Sequence, residues 1–518
     1  MQPKPVPLSN VDDAHITAMV QSYLVAHGFH RTATALRNTT PKAAADLLPT
    51  NSDNQGTKSR YDLCSIVSDT SKKVGLLFDD DSAWPIDNMA QNEIQLQIID
   101  SHTGASGGTL DTLIEKLIFD DSSFATTERG DSSAVDLTQI NFVSVFMVTS
   151  CCFATPDALF SKLSKLFKSI TGQAVLLGEF RRVMLLKRIL NFLLTWTTLA
   201  SIDFRRVVAE RMASFAMSVV RSGGHHYEVV QLATALLQNL QALLDDKKPY
   251  DVRPFPAVQP RALEPVPATV PADTEYKRAT DAPDAELARQ LCLAHFALFS
   301  EVRPRELFNE AWEDPTMALI CGSLNAFMKF PEDITQWFAS MIVAAPDAAA
   351  RRAIYAKTVR VAHQLYNMQN HFLAAALLMA CTHQAVQPLV DNSVLNGEES
   401  ESFDALRTAM DVLRVAKKEL PIALDTACIP HARLYLGQMS RAHETSKTFV
   451  KSDAHILINW SKMISMGRVV LSFISLQAVP YPYQPLPHFQ RLIRQMPGKR
   501  DDDALNAISQ ERVKNTRR

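Results

Sequence analysis

Apolar residues recur every three or four positions along most of the chain, which is the spacing of one face of an α-helix. In the segment 104–117 the apolar face consists of Leu110, Leu113, Ile114 and Leu117. Thr109 precedes this face and can cap the helix. The same spacing continues through 142–167 and 181–204. We therefore predict that residues 104–244 form an antiparallel helical bundle.

The C-terminal block 285–496 has the same helical spacing. Within it, 351–380 reads as one long helical run with a bend near Asn370. A proline-punctuated helix over 427–444 is followed by a predicted second long helix over 448–478. These two helices are expected to form a helical hairpin. The chain is thus predicted to be all-α, in several helical domains.

Three segments lack helical periodicity and divide the chain. Residues 43–103 are expected to be a linker or irregular, because their first part is rich in Thr, Asn, Ser, Asp and Gly. Residues 245–284 are rich in proline and predict an extended linker. The charged tail 497–518 is expected to be frayed.

The N-terminal segment 10–42 contains two short amphipathic helices over residues 12–37, with a turn at Gly28. A unit this small cannot bury a core of its own. Its pattern resembles the LisH motif through Tyr23, Leu24, Gly28, Phe29, Thr32, Ala33 and Leu36. LisH modules dimerise, so the resemblance implies a homodimer through residues 12–37. The alternative is an ordinary helical hairpin that packs on its own chain.

Composition describes an ordinary globular protein and excludes several classes. The 518 residues are 47% hydrophobic and 21% charged, with a net charge of −2 that offers no global attraction for nucleic acid. Seven scattered cysteines without a CxxC spacing favour a reducing compartment over a disulfide framework or zinc site. No signal peptide or membrane span is recognised. We therefore expect a cytoplasmic protein whose contact with membranes is at most indirect.

Catalytic and metal-binding signatures are weak. The run Asp79, Asp80 and Asp81 lacks the spaced oxygen ligands of a cation site, and His225 and His226 read as part of a turn. The chain has neither a GxSxG nor an HExxH motif. We expect no metal, no cofactor and no bond-making enzyme chemistry.

Residues 104–244 resemble the N-terminal helical module of Ras-type exchange factors. The matching positions are Gly108-Thr109-Leu110, then Phe142, Phe146, Phe153, Thr155, Pro156, Leu159 and Leu163, and finally Lys187 to Trp196. In the family this module packs on the catalytic domain and steadies its hairpin. The resemblance implies the same structural role here.

Residues 285–496 resemble the catalytic domain of Ras-family guanine nucleotide exchange factors. The opening ELARQLCLAHFALFSEVRPRELFNEAW, over 286–312, matches the family pattern almost throughout. Further matches are Trp337, Phe338 and Ile342; Arg352, Lys357, Val359, Val361, Ala362 and Asn370; Cys428, Ile429, Pro430, Leu434, Tyr435 and Leu436; and Ile458, Asn459, Trp460 and Lys462. This resemblance implies an all-helical domain from which a helical hairpin protrudes.

Such exchange factors make no covalent bond. They bind a Ras-like small GTPase and stabilise its nucleotide-free state. Because the two binding equilibria are coupled reciprocally, the affinity of the GTPase for its nucleotide falls by the same factor by which the nucleotide lowers the affinity for the exchange factor. The resemblance implies that the hairpin displaces a switch loop and promotes GDP release. It places Glu444 where magnesium and the α-phosphate would lie. Ser440 falls one helical turn earlier, at a position that is apolar in the family.

The resemblance also implies a surface that binds the second switch loop of the GTPase. Its residues in this chain are Met328, Lys329, Ala375, Thr382, Arg414 and His431. This set is less apolar and more basic than the family pattern. Two interpretations follow: the GTPase has different switch loops, with an acidic or polar residue facing Arg414, or the domain is a non-catalytic GTPase-binding scaffold.

Overall fold

A computed structural model describes the protein over residues 94–100, 105–123, 140–172, 177–199, 206–245, 264, 276, 278–308, 310, 312–313, 321–414, 426–452 and 455–516. The described residues are mostly helical, which confirms the all-α class. The LisH segment 10–42 and most of the linker 245–284 lie outside them. No helix in the described ranges combines the length and apolarity needed to traverse a bilayer.

The chain divides into two compact units. The first comprises Met1–Phe255, Leu307–Leu319 and Ser440–Leu471; the second comprises Pro256–Glu306, Ile320–Met439 and Ser472–Arg518. The predicted hairpin region is therefore assigned largely to the first unit, together with the N-terminal helices.

The N-terminal part of the first unit opens with two strands and continues with six helices over its described residues. These are β1 (Gln97–Asp100), β2 (Ala105–Gly108), α1 (Leu110–Phe119), α2 (Phe142–Thr149), α3 (Pro156–Gly172), α4 (Glu179–Leu199), α5 (Arg206–Arg221) and α6 (Tyr227–Leu244). Helix α6 packs against α4 and α5, and α3 packs against α4 and α5. Thr109 accepts a hydrogen bond from the Thr112 amide, which confirms the predicted cap of α1.

A buried arginine joins α4 to the end of α1. The Arg188 side chain is fully buried, donates to the Ile118 carbonyl at 2.8 Å and pairs with Asp121 at 2.8 Å. Burial lowers the pKa of its guanidinium, because an apolar environment disfavours the charged form. The carbonyl and the carboxylate compensate this penalty and fix the position of α4.

The prediction of one helix over 448–478 is wrong in its first third. Two strands, β3 (Phe449–Ser452) and β4 (His455–Asn459), precede helix α13 (Trp460–Ser475). They complete an antiparallel sheet of order β1-β2-β4-β3. The reason is non-local: β2 supplies a hydrogen-bonding edge to Ile458 and Asn459, and this edge outweighs helical preference.

Only a residue without a side chain fits at the centre of this sheet. A Cβ atom on Gly107 would lie 2.5 Å from the Ile458 carbonyl oxygen. The glycine-rich segment before Thr109 is thus a strand that admits close backbone approach, which is a common use of glycine within sheets.

The second unit surrounds an aromatic core. Its described α-helices are α7 (Asp284–Phe299), α8 (Gly322–Ala344), α9 (Ala348–Asn367), α10 (His371–Cys381), α11 (Gly397–Arg414), α14 (Pro487–Gln495) and α15 (Asp502–Thr516). Helix α12 (Ala432–Thr445) begins in the second unit and ends in the first. The Phe299 ring meets Phe327 and Phe473 at centroid distances of 5.2 Å each, and Phe327 meets Phe372 at 5.7 Å. Such aromatic pairs add stabilisation beyond the buried area alone.

The predicted bend near Asn370 is confirmed as a break between α9 and α10. Gln369 has a φ of 57°, and the Asn370 side chain caps α10 by accepting from the Leu373 amide at 3.1 Å. The extended segment before α12 is attached here, because Ile429 accepts from the His371 amide at 3.0 Å and donates to the Gln369 carbonyl at 2.9 Å.

The expectation of a frayed tail is wrong. Residues Asp502–Thr516 form α15, which Asp501 caps by accepting from the Ala504 amide at 2.9 Å. Leu505 is fully buried, and Arg512 donates to the carbonyls of Ala344 and Ala345 at the end of α8. The charged composition hides one short buried face, which tertiary contacts stabilise.

Candidate functional site

The first group of predicted site residues lies at the end of α12. Glu444 is exposed in the last turn of this helix, and Ser440 is half-buried one turn earlier. Among the described side chains, none forms an ion pair with Glu444. A carboxylate near a helix C-terminus is opposed by the helix dipole. The position therefore presents an exposed carboxylate that the helix dipole does not stabilise.

A buried lysine supports the same turn. The Lys462 side chain, near the start of α13, donates to the His443 carbonyl at 2.7 Å and to the Ser446 carbonyl at 2.6 Å. Burial lowers the pKa of its amino group. The ammonium caps the C-terminus of α12, where a cation is favoured. Although Lys462 belongs to a family motif in the sequence, its capping role was not predicted.

Asn459 organises the connection between the strands and α13. Its backbone amide donates to the Thr448 carbonyl at 2.9 Å, and its side-chain amide donates to the Lys447 carbonyl at 3.2 Å. The side-chain oxygen accepts from the Lys462 amide at 3.1 Å. Asn459 thus links the chain entering β3 and the chain leaving β4 to the first turn of α13.

The hairpin formed by α12, β3, β4 and α13 packs through the first half of α13 on the N-terminal part of the first unit. Trp460 stacks on Phe142 with a centroid distance of 4.3 Å. A Cβ atom on Gly467 would lie 3.1 Å from Val145, so α13 approaches α2 closely. The Ser106 amide donates to the Ser461 hydroxyl at 2.9 Å. Helix α2 and strand β2 therefore hold the α13 arm of the hairpin from one side.

The second group of predicted site residues belongs to the second unit. On α8, Met328 is half-buried, whereas Lys329 is exposed and lies 3.4 Å from Asp333. On α10, Ala375 is only 7% exposed, and Thr382 is exposed just after the helix. Arg414 is the last residue of α11, and its side chain lies outside the described structure.

A further exposed residue, which sequence reasoning missed, lies between two predicted ones. Met379 of α10 is 61% exposed, an unusual exposure for a large apolar side chain. It follows Ala375 by four residues and precedes Thr382 by three, so the three share one helix face. This spacing could have identified Met379 in the sequence once the face was known.

His431 lies over a buried cluster of histidines and phenylalanines. Its ring is 4.8 Å from the ring of Phe372, and burial together with nearby Arg433 lowers its pKa to about 4. Neither ring nitrogen of buried His371 has a hydrogen-bond partner in the described structure, and burial and His431 lower its pKa to about 4. At this position the surface is neutral and aromatic near pH 7.

His295 completes the cluster beneath. Its ring stacks on Phe327 at 4.7 Å, and its Nδ1 lies 3.2 Å from the Asn370 side-chain oxygen. Burial lowers the pKa of His295 to about 3. The surface around His431 therefore rests on groups that are neutral when folded. Among the described residues, this cluster included, no group of three His, Cys, Asp or Glu side chains could hold a metal ion.

The family comparison identifies one domain. Residues 286–464 match the family described as the RasGEF domain. The match includes α7 to α12, both strands of the hairpin and the first turn of α13. It thus includes every predicted site residue, whereas the resemblance of 10–42 to LisH and of 104–244 to the N-terminal exchanger module stays a prediction.

Curated relatives agree with this match. Ras guanine nucleotide exchange factor A of Dictyostelium discoideum is 21% identical over 387 residues, which are 72% of this chain and 60% of the relative. Factors J and I of the same organism are each 22% identical over 68% of this chain, covering 43% and 42% of their own lengths. The chain thus spans about half the length of these relatives. Residues 286–464 are thus similar to the RasGEF domain of Ras-type guanine nucleotide exchange factors.

Proposed function

We propose that this protein is a guanine nucleotide exchange factor that promotes GDP release from a Ras-like small GTPase in the cytoplasm. The RasGEF match over residues 286–464 carries the proposal. None of the six cysteines in the described part forms a disulfide, as in a reducing compartment. In this proposal the protein makes no covalent bond and acts by binding alone.

The exposed carboxylate of Glu444 supplies the proposed driving force. Two like unit charges 4 Å apart repel by about 4 kcal/mol at an effective dielectric constant of 20. An unpaired carboxylate brought near the nucleotide site would therefore compete with phosphate and attract its metal ion. Ser440, one turn earlier, is small and polar, so we propose that steric displacement at that position is weaker than in the family pattern.

The surface of the second unit is proposed to bind the second switch loop. Met328 and Met379 provide flexible apolar contacts that suit an irregular partner surface. Lys329 and Arg414 provide basic groups, which favour an acidic or polar residue on the GTPase. His431 contributes a neutral aromatic contact. This composition predicts a GTPase whose second switch loop is more acidic or polar than the loops that bind the mostly apolar surface of the family pattern.

Release of a fluorescent guanine nucleotide from a panel of small GTPases tests the proposed function. We expect the full chain to accelerate release from at least one member and to bind that member most tightly without nucleotide. Binding to a member without acceleration of release from any would instead indicate the non-catalytic scaffold.

Replacing the exposed acid should impair exchange without unfolding. We expect Glu444→Ala to slow nucleotide release by about tenfold, which corresponds to about 1.4 kcal/mol of transition-state stabilisation. The melting temperature should not fall, because Glu444 is exposed, has no ion-pair partner in the described structure and is opposed by the helix dipole. Glu401→Ala, at an exposed position of α11, is the matched control. Equal release rates for both variants would remove Glu444 from the mechanism.

We propose that residues 12–37 dimerise the protein. They lie outside the described structure, so the amphipathic pattern and the LisH resemblance support this proposal. We expect light scattering to give the mass of a dimer for the full chain and of a monomer after deletion of residues 1–40. A monomeric full-length protein would contradict the proposal.

A further inference from the structure

One end of the helical bundle in the first unit exposes two aromatic side chains. Phe180, in the first turn of α4, is 86% exposed, and Tyr227, at the start of α6, is 63% exposed. Neither residue belongs to the site proposed for the GTPase. A phenylalanine exposed to this extent costs hydration free energy without contributing to the core.

The two residues lie at the same end of the bundle. Lys187 of α4 pairs with Glu228 of α6 at 3.1 Å, so the starts of these helices are neighbours. At the other end of their contact, Asn239 lies 3.4 Å from Thr198, so the helices run parallel. Phe180 precedes Lys187 by two turns, or about 10 Å along the axis, and therefore extends beyond the start of α6.

The turn between α5 and α6 and the end of α3 meet at this end. His225 in the turn lies 5.7 Å from Phe167 of α3, measured between ring centroids. Burial lowers the pKa of His225, and the positive charge of Arg182 on α4 lowers it further. The end of α3, the first turn of α4 and the turn before α6 thus meet at this end of the bundle.

Basic groups outnumber acidic ones there. Lys168 and Arg221 are exposed and Arg181 and Arg182 are half-buried, and none of the four makes an ion pair with a carboxylate in the described part of the chain. Glu228 is already paired with Lys187 and lies 4.0 Å from His226, and Glu179 precedes Phe180 in the chain. This aromatic-basic end, defined by Lys168, Phe180, Arg181, Arg182, Arg221 and Tyr227, therefore attracts anions.

In place of the expectation of at most indirect membrane contact, we propose that the aromatic-basic end binds the surface of a lipid bilayer that contains anionic phospholipid. Aromatic rings prefer the boundary between headgroups and acyl chains, and nearby Arg and Lys side chains pair with anionic headgroups. A groove for a peptide would cover its aromatic side chains, whereas Phe180 stands free of its neighbours. An extended flat partner matches this geometry better than an acidic peptide.

The number of unpaired cations fits a reversible attachment. Each basic residue near an anionic bilayer changes the binding constant by about fivefold, and the field decays within about 8 Å at physiological salt. Four such residues and two interfacial rings on one end would hold the protein to vesicles without a membrane-spanning segment.

Vesicle flotation with the full chain tests the proposal. We expect recovery with vesicles of phosphatidylcholine plus phosphatidylserine, little recovery with phosphatidylcholine alone, and loss of binding at high salt. Arg181→Glu/Arg182→Glu and Phe180→Ala/Tyr227→Ala should each weaken binding by more than about tenfold. Circular dichroism of each variant checks that the bundle remains folded.

Matched variants at another exposed position complete the design. Arg206→Glu/Val207→Ala changes an exposed cation and an exposed apolar side chain at the start of α5 and should bind vesicles as the parent does. Equal binding of the parent to both vesicle types, undiminished binding of folded variants, or capture by polyglutamate beads without vesicle binding would each overturn the proposal. Exchange measured in solution on a lipid-free GTPase is a separate readout.

Discussion

The stability of the second unit should fall steeply as the pH is lowered from about 6.5 to about 4. His295 has its pKa lowered to about 3, and His371 and His431 have theirs lowered to about 4, chiefly by burial. In the unfolded chain these side chains titrate near 6.5. Acid therefore binds preferentially to the unfolded state, and the stability present above 6.5 is lost through this window.

The expected size of this effect is several kcal/mol. One unit of pKa difference corresponds to about 1.4 kcal/mol, and buried His295 and His371 differ from the unfolded value by more than one unit each. Urea unfolding at a series of pH values measures the free energy directly. A profile that stays flat between pH 6.5 and 4 would show that these rings are accessible to protons in the folded state.

A variant separates this cluster from general acid effects. His371→Leu should flatten part of the acid dependence, because it removes a ring whose nitrogens have no hydrogen-bond partner within the described structure. Replacing an unpaired polar group by an apolar one of similar size is often neutral or stabilising. His455→Gln, at an exposed position of β4, should leave the slope unchanged.

The Lys462→Met substitution should impair both the hairpin and nucleotide release. It removes two hydrogen bonds from an ammonium to the carbonyls of His443 and Ser446, and bonds to charged groups contribute about 1.5–3 kcal/mol each. Relief of the buried charge offsets part of this loss, so we expect a net cost of about 2–4 kcal/mol. Exchange should slow at least tenfold, since Glu444 lies in the turn that Lys462 caps.

Hydrogen exchange of backbone amides identifies the cause. Amides near residues 440–459 should lose protection in Lys462→Met, while those of α4 and α6 keep theirs. Lys451→Met, at an exposed position of β3, tests the loss of a lysine from the same hairpin without the cap. If Lys462→Met retains full protection at the hairpin and full exchange, the cap has no role in positioning Glu444.

Helical periodicity predicted most of the fold because it is a local property. The apolar face of α1, its cap at Thr109 and the break at Asn370 depend on neighbours within one or two turns. The resemblance to exchange factors also named candidate site residues, which stay a prediction. Local patterns could not predict Met379, because its exposure depends on which face of α10 the other helices leave open.

The sequence alone indicated a mostly helical chain with a RasGEF-like block and an exposed Glu444. Tertiary structure alone decided that residues 449–459 form strands, because β2, more than 300 residues earlier, provides the pairing edge. It also decided that Lys462 is a buried cap of α12 and that the charged tail is a helix. Each of these features depends on partners distant in sequence, whose proximity only the folded chain creates.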